Sequence, residues 1–174
     1  MDKTSPTEFP AEVLSLLKKV QDYPYENLSK VVAWSKDKSW LKVLDTPDKL
    51  LTKASALGAG AACFSLTYYL YREMQEQGFD SEFLVADKYH YKNIHCGLNF
   101  KSGASEYLLD PGYMIYQPML IPSPQLFLSF AFSPNEVCLE NKFSEKVIRL
   151  YTGKHNDLKF RFDFRTTPAS LEEF

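Results

Sequence analysis

Residues 58–65 read G-A-G-A-A-C-F-S, and the prediction of the fold starts from this stretch. The small residues before Cys63 allow the backbone to approach another segment closely. After the cysteine, apolar residues recur every fourth position and predict a helix that ends at Gly78: Leu66, Leu70 and Met74. Cys63 is therefore expected in the first turn of a helix, where the positive end of the helix dipole favours a thiolate. The alternative is that Cys63 is a small buried side chain with no chemical role.

The bulk composition is that of one ordinary domain or two small subdomains. The chain has 174 residues, of which 45% are hydrophobic, and a net charge of −2. The near-balanced charge gives no support for nucleic-acid binding, and no apolar run is long enough to cross a membrane. The three cysteines form neither a disulfide framework nor a metal-binding pair, so we expect no metal site. The N-terminus lacks the pattern of a signal peptide, and a cytoplasmic location is expected.

Helical patterns fill the first part of the chain and strand patterns fill the rest. We therefore predict an α+β fold with a helical subdomain over residues 1–78, which includes the cysteine helix, and an antiparallel β subdomain over residues 79–174. The last predicted strand alternates apolar and charged residues. Its apolar positions are expected on one buried face: Leu158, Phe160, Phe162 and Phe164.

A predicted hairpin brings an imidazole and a carboxylate together. Residues 93–100 and 106–110 read as its two strands. If residues 101–104 form a four-residue loop, His95 lies directly opposite Asp110, and the two side chains share one face of the sheet. This expectation depends on the loop length, because a slip of one residue would place the side chains of His95 and Asp110 on opposite faces of the sheet.

A cysteine at a helix start, a histidine and an aspartate together make a set of nucleophile, base and orienting group. His95 would take the proton of the Cys63 thiol, and Asp110 would hold the imidazole in the required tautomer. The thiolate could then attack a carbonyl carbon. In the alternative interpretation, His95 is a structural histidine and Asp110 only begins the D-P-G turn.

Four motifs in this order resemble the arylamine N-acetyltransferases, within the wider transglutaminase-like and papain-like group of thiol enzymes. P-Y-E-N-L at residues 24–28 resembles P-F-E-N-L of that family, and A-G-A-A-C-F-S stands where the family has R-G-G-x-C-x-E. H-C-G-L-N-F at residues 95–100 resembles the histidine strand. Y-L-L-D-P-G-Y at residues 107–113 resembles the aspartate element.

The resemblance implies a papain-like cysteine-enzyme fold and a catalytic triad of Cys63, His95 and Asp110. It implies that an acyl group passes from acetyl-CoA or another acyl-CoA to Cys63 and then to a small-molecule amine. No permanently bound cofactor is implied. By motif position, the residues expected to contact substrate are Tyr25, Phe64 and Tyr113.

The sequence departs from the family pattern around the cysteine. Ala59 stands in place of the family's arginine, so Glu26 is expected either to be exposed or to meet another cation. Ser65 replaces an acidic residue. The chain also ends where family members continue into a third, lid-like domain. Two further functions therefore remain open: a transglutaminase-like amidase or cysteine peptidase with the same triad, and a non-catalytic binding module on this fold.

Overall fold

The computed structural model describes residues 9–28, 31–32, 35, 47–132, 135–154, 157–171 and 173. In this part of the chain three α-helices precede eight β-strands, so the predicted α+β fold is confirmed. The helices are α1 (Ala11–Val20), α2 (Pro47–Leu57) and α3 (Cys63–Glu76). The strands are β1 (Ser81–Lys88), β2 (Tyr91–Ser102), β3 (Ser105–Asp110), β4 (Ile115–Leu120), β5 (Phe127–Phe132), β6 (Asn135–Lys142), β7 (Val147–Lys154) and β8 (Asp157–Arg165).

Two compact units divide the chain. The first, which we call the helical unit, comprises residues 8–81 and 110–117. The second, the β unit, comprises residues 82–109 and 118–174 together with the first seven residues, which lie outside the described ranges. Asp110 therefore belongs by its contacts to the helical unit, although it is the last residue of β3.

The core of the helical unit forms around α3. The predicted apolar stripe of this helix, Leu66, Leu70 and Met74, is fully buried. At the helix end, Gly78 takes φ +78, and Phe79 N–H donates to the carbonyl of Met74 at 2.9 Å. This is the geometry of a Schellman motif, which satisfies carbonyls left over at a helix C-terminus. The predicted end of the helix at Gly78 is confirmed.

One eight-stranded sheet has the strand order β4-β3-β2-β1-β8-β7-β6-β5. The ladders β1–β8, β2–β3, β5–β6, β6–β7 and β7–β8 are all antiparallel. Short connections join the sequential neighbours, as expected for antiparallel strands. The predicted antiparallel sheet is confirmed.

The hairpin between β2 and β3 corrects the predicted register. Ser102 pairs with Ser105 and Leu98 pairs with Leu109, so the loop has only residues 103–104. Gly103 takes φ +58, which a two-residue hairpin turn needs and which glycine adopts without strain. The register is displaced by two residues, which keeps every side chain on its predicted face. The direct pairing of His95 with Asp110 was therefore wrong.

A β-bulge corrects the predicted face of Phe160. Leu150 pairs with Phe162 but Tyr151 pairs with Phe160, so Arg161 is the extra residue. Phe162 stacks on His95 with ring centroids 4.4 Å apart, whereas Phe160 contacts Tyr151. The expectation that Phe160 and Phe162 share one face was wrong, because a bulge reverses the alternation at this point.

An ionic cluster around Asp87 joins three strands of the β unit. Its carboxylate accepts hydrogen bonds from Arg165 of β8, from the Asn93 backbone N–H at 2.9 Å and from Lys92 at 3.0 Å. Burial acts to raise the pKa of Asp87, but these bonds outweigh it and hold the pKa well below its usual range.

Asp87→Asn is expected to lower the free energy of unfolding by about 1–3 kcal/mol at pH 7, because Arg165 loses its charged partner. Since the pKa of Asp87 is depressed in the folded state, its stabilisation is present above the ordinary aspartate pKa of about 3.9. The stabilisation is lost as the pH falls below that value toward the folded pKa. Urea denaturation at pH 7 and pH 3 should therefore show a difference between wild type and variant that shrinks in acid. Asp80→Asn, at an exposed position, is the control, and an equal effect of both substitutions would contradict the prediction.

Candidate active site

Cys63 is the first residue of α3, as predicted. The preceding residue, Ala62, is extended with φ −79 and ψ 171, so the chain enters the helix at the cysteine itself. The Cys63 side chain is only 8% exposed. A thiol at this position lies at the positive end of the dipole of a 14-residue helix, which stabilises the thiolate relative to the thiol.

The loop before Cys63 packs against the P-Y-E-N-L segment through its backbone. Ala61 N–H donates to the carbonyl of Pro24 at 3.0 Å, and Glu26 N–H donates to the carbonyl of Ala61 at 3.1 Å. A Cβ atom on Gly60 would lie 1.5 Å from the Pro24 carbonyl oxygen. The close approach expected from the small residues is confirmed, and Gly60 is the residue that makes it feasible.

The turn after β3 packs against the cysteine. Asp110 is fully buried, and its Oδ1 accepts a hydrogen bond from Tyr113 N–H at 3.0 Å, which caps the short 3₁₀ turn Pro111–Tyr113. A Cβ atom on Gly112 would lie 2.6 Å from the Cβ of Cys63. The turn that begins at Asp110 is thus in backbone contact with the first residue of α3, within the helical unit.

Gly112 is a site residue that the sequence reasoning missed. Roles were predicted for Asp110 and Tyr113 of this turn, but none for Gly112. The signal that could have identified Gly112 is its place two residues after Asp110, the proposed orienting carboxylate. Glycine is the usual residue where two backbone segments approach closely, because it has no Cβ atom.

His95 lies on β2 in the β unit, and its side chain is 3% exposed. Its ring is nearly parallel to that of Phe162, with an interplanar angle of 15°, and it meets the edge of Phe164 at a centroid distance of 5.8 Å. These two aromatic rings fix the plane of the imidazole. The role of His95 as a base stays a prediction.

The three residues expected at the substrate are all in the helical unit. Tyr25 pairs with Ala61 in an isolated parallel bridge and is 38% exposed. Phe64 follows Cys63 in α3, and Tyr113 belongs to the Asp110 turn; both are half-buried. Each is therefore next to Cys63 or to a segment that contacts it, and their binding role stays a prediction.

The three cysteines are not joined by disulfide bonds, and all three are buried. Within the described ranges, no group of three or more His, Cys, Asp or Glu side chains is arranged to hold a metal ion. The same ranges contain no helix long and apolar enough to cross a membrane.

Comparisons with known proteins found similarity only at the level of structure. No family model matches the chain, and no curated protein matches its sequence. Solved structures of arylamine N-acetyltransferases match closely in fold. The enzyme from Mycobacterium tuberculosis has a TM-score of 0.67 at 17% identity, with 91% of this chain aligned to 60% of that one. The enzyme from Mycobacterium abscessus has a TM-score of 0.71 at 16% identity, with 97% of this chain aligned to 61% of that one.

A third match is an arylamine N-acetyltransferase from Bacillus cereus, whose crystal structure is described as revealing a unique Cys-His-Glu catalytic triad. Its TM-score is 0.67 at 15% identity, over 99% of this chain and 68% of that one. This chain thus spans roughly 60–68% of the length of the three enzymes. At such low identities the likeness concerns architecture, and the chain shares the fold of the arylamine N-acetyltransferases.

Proposed function

We propose that the chain is a cysteine-dependent N-acyltransferase of the arylamine N-acetyltransferase type. The observation that supports this best is the start of α3. There Cys63 is at the helix N-terminus, and the turn capped by Asp110 packs onto it through Gly112. A buried carboxylate close to the cysteine helix, in a fold shared with acetyltransferases, supports two members of a thiol-based triad, and a histidine base would complete it.

In this mechanism His95, from the β unit, takes the proton of the Cys63 thiol, and Asp110 orients the imidazole. The Cys63 sulfur then attacks the carbonyl carbon of an acyl-CoA. A thioester forms on Cys63, and coenzyme A leaves as its thiol with the proton from His95.

The second half of the reaction returns the enzyme to its starting state. An amine attacks the thioester carbonyl, its nitrogen loses a proton to His95, and Cys63 leaves as the thiolate, which regains a proton from His95. The acyl-CoA is thus a co-substrate, and no permanently bound cofactor is needed. Free thiols of this kind persist in a reducing cytoplasm, where we place the protein.

Incubation with acetyl-CoA is expected to add one acetyl group to Cys63, detected by intact-mass and peptide mass spectrometry. Cys63→Ser should abolish this modification. Cys138→Ser is the matched control, because Cys138 is also a buried free thiol but lies on β6. Subsequent addition of an arylamine should remove the acetyl group and yield the acetylated amine.

Two results would contradict the proposal in different ways. Acetylation followed by equal loss to water with and without amine would indicate a thioester hydrolase. Absence of any Cys63 acetylation by acetyl-CoA, with retained fold, would exclude acetyl-CoA as the donor.

A further inference from the structure

The β unit contains a concave pocket of about 420 Å³. This volume lies within the range of small-molecule sites, roughly 300–1,000 Å³. Its walls are formed by β7, β8 and the adjoining ends of β1 and β2 with the turn between them. They include three aromatic residues: Tyr89, Tyr151 and Phe160. None of these residues belongs to the proposed triad.

The β-bulge in β8 creates the aromatic wall of this pocket. It turns Phe160 toward Tyr89 and Tyr151, with ring centroids 5.3 Å and 6.4 Å apart. The neighbouring Phe162 points to the other face and stacks on His95. The pocket and the His95 ring are therefore on opposite faces of β8, and a role for the pocket is independent of the proposed acyltransferase activity.

The charges of the pocket are balanced and already paired. Arg149 donates to both carboxylate oxygens of Asp163, at 2.6 Å and 2.9 Å, and Lys92 donates to Asp87 at 3.0 Å. The hydrogen bond to Asp163 raises the pKa of Arg149 above its ordinary value, so this side chain stays charged. Two acidic and two basic residues thus line the pocket, with no net charge to attract an ionic ligand.

An ionic ligand would also meet a like charge at close range. The Arg149 guanidinium already lies over the Phe160 ring, 5.3 Å from its centroid, in the position that an aromatic pocket offers to a cation. An anion would face the carboxylates of Asp87 and Asp163. The pocket therefore favours an uncharged molecule.

Hydrogen-bonding capacity remains on the paired groups. Each Asp163 oxygen accepts one bond from Arg149, which leaves it a second lone pair, and Lys92 uses one of its three N–H groups on Asp87. The Tyr89 hydroxyl can both donate and accept, and its side chain is 72% exposed. The pocket thus offers both hydrogen-bond donors and acceptors beside its aromatic residues.

We propose that this pocket binds an uncharged sugar ring. A pyranose has apolar C–H faces that pack on aromatic rings, and its hydroxyl groups donate to carboxylates and accept from ammonium and guanidinium groups. A neutral sugar ring thus matches the paired charges, the aromatic residues and the mixture of donors and acceptors that line the pocket.

The test is a titration of ¹⁵N-labelled full-length protein with methyl glycosides of glucose, galactose and mannose, and with N-acetylglucosamine. At least one of these sugars is expected to shift the amide signals of residues 89–92 and 149–151 saturably, with a dissociation constant of about 1 mM. Tyr89→Asn removes the exposed ring and suits the positive φ of +53 at this position. It should weaken binding at least tenfold.

Tyr91→Asn is the matched control, because Tyr91 is also exposed and packs on His90 instead of lining the pocket. It should leave sugar binding unchanged. Tetramethylammonium is the competing probe. Saturable shifts with tetramethylammonium alone would show that the pocket is an aromatic cage for cations and would overturn the proposal. An absence of shifts with all four sugars, or equal losses in both variants, would overturn it as well.

Discussion

Gly60→Ala is expected to lower the free energy of unfolding by at least about 3 kcal/mol and to prevent acetylation of Cys63. The added Cβ would lie 1.5 Å from the Pro24 carbonyl oxygen, a distance that no side-chain rotation can relieve. The loop must therefore move away from the P-Y-E-N-L segment. Both backbone hydrogen bonds of Ala61 to that segment, at 3.0 Å and 3.1 Å, would then be lost.

Gly58→Ala is the matched control in the same loop. A Cβ there meets nothing within 4 Å, and its only penalty is the positive φ of +60, about 1 kcal/mol. Urea denaturation followed by circular dichroism measures both variants. If Gly60→Ala were no less stable than Gly58→Ala, the backbone contact between the two segments would not exist in solution.

His95→Gln is expected to slow the alkylation of Cys63 by iodoacetamide at pH 6 by at least tenfold. In the proposed triad, His95 takes the thiol proton, so the wild-type thiolate persists well below the ordinary cysteine pKa of about 8.5. Glutamine cannot take that proton, and the rate should then follow the titration of an ordinary thiol. Peptide mass spectrometry locates the label, because Cys96 and Cys138 also lie outside any disulfide bond.

His90→Gln is the control for this experiment, since it removes an exposed imidazole from the turn between β1 and β2. It should leave the pH profile of Cys63 unchanged. Thermal denaturation of His95→Gln separates lost reactivity from lost fold, because His95 is buried against Phe162. An identical pH profile in wild type and His95→Gln would mean that His95 does not activate Cys63, and it would favour the binding-module interpretation.

The local elements of this protein were predictable because they depend on short-range patterns. The four-residue recurrence of Leu66, Leu70 and Met74 and the glycine just beyond the helix, Gly78, specified α3. The start of the helix at Cys63 followed from the small residues before it. The order of helices and strands then sufficed for the α+β class.

Long-range contacts were not predictable in the same way, because they depend on which segments meet in space. The carboxylate of Asp110 was expected beside His95 through a hairpin pair, but the two-residue turn at Gly103 displaced the register. Gly112 and Cys63 pack together although they are far apart in sequence. The periodic patterns of apolar residues that predict helices and strands do not predict such a contact.

The sequence by itself thus determined the order of helices and strands, the fold class and the identity of the candidate nucleophile, since these follow from periodicity, capping and motif order. Only the tertiary structure decided the register of the β2–β3 hairpin, the backbone approaches at Gly60 and Gly112, and the face on which Phe160 lies. A turn or a bulge changes a register by one or two residues at small energetic cost, and the packing of the whole sheet selects among these alternatives.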